Sequence, residues 1–123
     1  MKAYNCLTWT YDIETDSLFI YRNEKYDYET SLELNVDVIL DLDDKGMPSA
    51  FEFLNASKLF KVKASSLNSI KEINVSVSIT EKLIELNTEL TVLVMEKISQ
   101  KYLFNMAANS YSIPDFNEVL SFA

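Results

Sequence analysis

Residues 26–43 alternate with almost no break. Even positions carry Tyr26, Tyr28, Thr30, Leu32, Leu34, Val36, Val38, Leu40 and Leu42. Odd positions carry Asp27, Glu29, Ser31, Glu33, Asn35, Asp37, Ile39, Asp41 and Asp43. Side chains on a strand point alternately to opposite faces, so this period of two describes a ribbon apolar on one side and anionic on the other. The stretch exceeds a typical strand, and a bend near residues 35–37 that keeps the parity is expected.

The same rhythm recurs on both sides of the ribbon. Residues 4–11 alternate around Leu7, Trp9 and Tyr11, and 17–23 hold the apolar run Leu18, Phe19, Ile20, Tyr21. The segment Asp12, Ile13, Glu14, Thr15, Asp16 between them has the composition of a turn. Asp43, Asp44, Lys45 and Gly46 predict the next turn, followed by a strand through Phe51 and Phe53. Further on, Ile73, Val75, Val77 and Ile79 alternate with polar residues, and Ile84, Leu86, Thr88, Leu90, Val92 and Val94 continue the pattern. A third piece carries Ile98, Tyr102, Phe104 and Met106 as its apolar phase. Strands in series with no long amphipathic helix predict an all-β, mainly antiparallel fold. About seven strands would form a curved sheet or two-layer sandwich. Short helical turns are expected near 57–69 and near 114–121. The second rests on Pro114 and on Phe116, Val119 and Leu120 at i, i+3 and i+4. That tail would either close its own sheet or dock on a neighbouring subunit.

A chain of 123 residues suits one domain spanning 1–123, with β segments at 11–57 and 70–107 and a tail at 108–123. Its hydrophobic fraction of 48% is too high for disorder, and no apolar run reaches the roughly 18 residues of a membrane span. Residues 1–6 lack a signal-peptide core, so a cytoplasmic location is expected. Cys6 is the sole cysteine, which excludes an internal disulfide and fits a reducing compartment.

Net charge is −8, and residues 1–60 hold 12 acids against 5 bases. Such a surface repels phosphates, so no nucleic-acid partner is expected. A basic protein partner, cations or simple solubility would each account for the acids. With no histidine, the chain lacks imidazole acid–base chemistry and a Cys/His zinc set. With one glycine it lacks a glycine-rich phosphate loop, and no cofactor is expected.

Carboxylates are the remaining candidates. Asp41, Asp43, Gly46 and Glu52 stand at offsets 1, 3, 6 and 12, the spacing of a calcium loop. Lys45 occupies a ligand position there, and the flanks read as strands, so a hairpin turn is the competing account. Asp12, Glu14 and Asp16 would share a face if extended and could hold a hydrated divalent cation; an aspartate-capped turn explains them equally. The many tyrosines and phenylalanines read as cross-strand packing, or, if exposed, as an interface.

Residues 11–57 resemble domain-of-unknown-function family 2283. Tyr11, Asp12, Glu14, Asp16, Leu18 and Ile20 match its opening segment. Val38-Ile39-Leu40-Asp41, Asp44-Lys45-Gly46 and Phe51-Glu52-Phe53-Leu54-Asn55-Ala56-Ser57 match its later ones. Asp37 stands where the family usually has glycine; aspartate tolerates a left-handed backbone better than most residues. The resemblance implies a small β-rich domain with no established activity, in a longer member with a C-terminal extension. It also implies an antitoxin-like role beside a small partner. Taken together, these readings favour a non-enzymatic protein-interaction module forming a homodimer. The alternative is a weak divalent-cation-binding or metal-assisted hydrolytic domain.

Overall fold

The computed structural model describes residues 4–123, and ten strands form two five-stranded sheets. One sheet contains β2 (Leu7–Asp12), β3 (Ser17–Arg22), β4 (Tyr28–Asn35), β5 (Val38–Asp43) and β6 (Pro48–Phe53), in the order β2-β3-β6-β5-β4. The other contains β1 (Tyr4–Asn5), β7 (Glu72–Ile79), β8 (Leu83–Val94), β9 (Lys97–Ala108) and β10 (Phe116–Phe122), in the order β1-β10-β7-β8-β9. We call these the N-sheet and the C-sheet. All pairings are antiparallel except that of β1 with β10.

The fold is all-β, as the alternation requires, but its strands exceed the expected seven for three local reasons. The first strand divides at Cys6, whose amide donates to Ser121 O in the C-sheet while its carbonyl accepts from Asn23 N, just beyond β3 of the N-sheet. The ribbon at 26–43 is a hairpin rather than one bent strand. Asn35 pairs with Val38, leaving Val36 and Asp37 as a two-residue turn. An even-numbered turn preserves parity, so Leu32, Leu34, Val38, Leu40 and Leu42 all reach the core. Asp37 does not use the left-handed conformation, which falls instead to Asp16, Asn55, Lys61, Met95, Glu96, Ser112 and Gly46.

The third reason is a correction. The helical turn expected at 114–121 is strand β10, inserted between β1 and β7. Phe116 and Leu120 are buried, β7 pairs with β10 from Phe116 to Phe122, and Leu120 and Ser121 also pair with β1 on the other side. That pairing outweighs an isolated turn whose helical face spans three apolar residues. The other helical expectation agrees with the structure, as α1 (Ala56–Leu59) and a 3₁₀ helix (Ala64–Ser69).

The inner faces of both sheets meet in one apolar cluster, from Leu18, Ile20, Phe51 and Phe53 to Val75, Val77, Leu86 and Leu90. Phe60 closes one side, its ring edge-on to Phe53 at 5.4 Å. Trp9 meets Phe122 edge-on at 6.2 Å, joining the two sheets near their termini.

Candidate functional site

The carboxylates singled out from the sequence go to three places. Asp12, Glu14 and Asp16 lie at the β2–β3 turn. Asp12 caps it by accepting the Glu14 amide at 2.9 Å, and Glu14 is exposed. Asp16 turns the other way. It accepts the Tyr11 hydroxyl at 2.6 Å, the Ser57 amide at 3.0 Å and the Ser57 hydroxyl at 2.7 Å. Burial opposes ionisation of Asp16. The donors on Ser57 and Tyr11, with Lys58 nearby, outweigh it and hold the carboxyl below its usual range. The Tyr11 hydroxyl is raised to about 12 by burial and by its bond to Asp16.

Asp43 serves its turn, accepting the amides of Lys45 and Met47, both at 2.9 Å. One carboxylate oxygen, Oδ1, accepts both and so serves the hairpin, as turn chemistry requires. Among the described residues no three acidic or cysteine side chains converge as a metal set.

Asp41 and Glu52 do come together, on the outer face of the N-sheet. Asp41 lies opposite Ala50, and Glu52 is the next outward residue of β6, flanked by Phe19 and Ile39. Asp41 retains only 5% exposure. Its carboxylate accepts the Ser31 hydroxyl at 2.5 Å, and Ser31 is 2.8 Å from the Tyr28 hydroxyl. Since Ser31 gives its single proton to Asp41, Tyr28 donates to Ser31. Glu52 hydrogen-bonds to Asp41; that bond, burial and the Asp41 charge push the Glu52 carboxyl up to about 7. Burial, with the charges of Asp41, Tyr21 and Glu52, also raises Tyr26. A hydrogen-bonded row thus crosses β4, β5 and β6 and retains one proton near neutrality. Proton transfer is within its chemistry, but three of the surface clefts, at 63–69 with 93–95, at 5–6 with 22–24, and at 29–32 with 111–114, are lined without either carboxylate.

The second distinctive surface is β9, at the edge of the C-sheet. The sequence identifies Ile98, Tyr102, Phe104 and Met106 as its apolar phase, and the structure turns that phase outward. They are 75%, 62%, 53% and 51% exposed. The inward phase is Ser99, Lys101, Leu103, Asn105 and Ala107. Beside the apolar row on β8 stand Glu85, opposite Met106, and Glu89, opposite Tyr102. Sequence periodicity located the row but had no signal for which side faces water.

These features define a small two-sheet β protein whose long edge strand, β9, has no ladder partner on its outer side among the described residues and comes near β4 of the N-sheet. A family model described as Protein of unknown function (DUF2283) matches residues 9–57. The chain is 31% identical over 106 residues to a Methanosarcina mazei protein named "Putative hypoxanthine phosphoribosyltransferase", spanning 86% of this chain and 85% of that one. It is 38% identical over 88 residues to an uncharacterized protein of Methanocaldococcus jannaschii, spanning 71% and 74%. No solved structure matches the chain. Residues 9–57 belong to the DUF2283 family, and β7 to β10 lie beyond that segment.

Proposed function

We propose that this protein is a non-enzymatic interaction module that receives a partner polypeptide along β9. The carrying observation is the coincidence on one twelve-residue strand of an open sheet edge and the exposed row Ile98, Tyr102, Phe104, Met106. Open edges are normally shortened, charged or covered, because their free amides and carbonyls template strand addition. A contiguous apolar row on such an edge marks a binding surface. Glu85 and Glu89 at its margin suit a partner with basic flanks.

Phosphoribosyl transfer, suggested by the name of the Methanosarcina relative, has little to support it in this chain. The single glycine, Gly46, sits in a hairpin turn, and α1 has four residues. Phosphate cradles draw on glycine-rich loops and the N-termini of longer helices.

The test is affinity capture from source cells with the wild-type chain and with a Tyr102→Lys/Phe104→Lys variant, both folded by circular dichroism. A partner retained by the wild type and lost by the variant is the expected result. Identical retention by both chains sinks the proposal.

A further inference from the structure

Resting on that reading of β9, we infer that the strand's partner is a second copy of this chain, paired antiparallel about a two-fold axis at Tyr102. The argument begins at the β8–β9 turn. Val94 pairs with Lys97, and the two residues between them, Met95 and Glu96, have φ of 52° and 67°. Two successive positive φ values define a type I′ turn, in which the first flanking carbonyl accepts the amide of the last residue. Val94 and Lys97 are therefore a hydrogen-bonded pair.

In an antiparallel ladder such pairs alternate with non-bonded ones, and the β8–β9 register runs without a shift to Leu83 and Ala108. Odd residues of β9 consequently direct their amides and carbonyls to β8. Beyond the strand the parity persists, since the Asn109 amide donates to Lys82 O at 2.9 Å. Even residues direct theirs to the open edge. Between residues 98 and 106 the outward main-chain groups thus belong to Ile98, Gln100, Tyr102, Phe104 and Met106, the four residues of the exposed row together with Gln100.

An identical strand can satisfy all of them in one register. With Tyr102 opposite the partner's Tyr102, Gln100 stands opposite the partner's Phe104 and Ile98 opposite the partner's Met106. Every outward amide and carbonyl from 98 to 106 is then paired.

Two observations favour a copy of this chain over another strand. The first is Asn105 on the inner side of β9. It is 8% exposed, and its Oδ1 is buried without a hydrogen-bond partner. Buried acceptors of this kind are uncommon and costly. The register centred on Tyr102 places the partner's Ser99 directly opposite Asn105, as a cross-strand neighbour on the same face with a hydroxyl to donate. The second is charge. In a chain of net charge −8, β9 carries Lys97 and Lys101 and no acid. Pairing β9 with itself brings no carboxylate against another, and the lysines fall opposite the partner's Ala107 and Leu103.

Sedimentation and disulfide trapping test this together. The wild-type chain is expected to sediment with the mass of two chains at micromolar concentration, and Tyr102→Lys as one. In a Cys6→Ser background, Tyr102→Cys should yield a covalent dimer on mild oxidation. Phe104→Cys should not, because its copies lie four residues apart along the ladder, beyond disulfide reach. Mixing Phe104→Cys with Gln100→Cys should restore the cross-link. A monomeric wild type overturns the inference, while partner capture that depends on Tyr102 and Phe104 would still uphold the interaction module. A dimer in which Phe104→Cys links to itself and Tyr102→Cys does not overturns the inference as well.

Discussion

Glu52 gives its proton to Asp41 in a hydrogen bond between neighbouring strands, and that proton is held to about pH 7. Unfolded, Glu52 ionises near 4.5. Between these values the folded chain binds more protons than the unfolded one, so this group makes stability fall as pH rises through that window and level off above it. Glu52→Gln keeps a donor for Asp41 and removes the slope. Above about pH 7 it should be more stable than the wild type by on the order of 1–2 kcal/mol, after allowance for solvent screening. Urea denaturation across the window measures it; parallel pH curves for the two chains would show that the shared proton does not contribute.

Asp16 has the opposite sign. Its carboxyl is held below 3.8 by donors on Ser57 and Tyr11, so its contribution is present above that value and is lost as pH falls through the lowered one. Asp16→Asn tolerates the left-handed backbone, φ 54°, but removes the ionised acceptor. It should cost about 1–2 kcal/mol at neutral pH, with the deficit shrinking in acid. A deficit unchanged down to strongly acid pH would count against the charged hydrogen bonds as its cause.

Gly46 joins the β5–β6 turn to the segment before β10. Its φ is +77°, and an added Cβ would stand 3.1 Å from Pro114 Cδ. Gly46→Ala should lower stability by about 1–2 kcal/mol, read as a lower melting temperature. An unchanged melting temperature would mean that the turn relaxes freely.

Leu120 is 1% exposed in β10 and belongs to the core cluster. Leu120→Ala should cost about 2–5 kcal/mol in chemical denaturation. A cost near zero would contradict an inserted, buried strand.

How far the sequence could be read depends on whether the deciding contacts are local. Period-two alternation gave the all-β class and the parity of residues 32–42, and turn composition gave the turn at 43–46, because strand geometry and turn chemistry act within a few residues. β10 escaped detection because Phe116, Val119 and Leu120 fit a helical face, and the pairing that overrides this comes from β7, about 40 residues away. The outward face of β9 was equally hidden, since an apolar row looks the same whether it meets a core or a partner. Asp41 and Glu52 were both picked out, but through a calcium-loop spacing. Only the register of β5 on β6, with its irregularity after Asp41, brings them together.

The position of β10 also sets an order on assembly during synthesis. The N-sheet uses residues 7–53 and can close as soon as these have left the ribosome. The C-sheet cannot. Among the described residues β1 pairs only with β10, and one side of β7 stays open until residues 116–122 emerge to fill the gap between them. Until then β7 presents its unpaired edge. This is the interval in which a nascent chain of this kind most needs a chaperone.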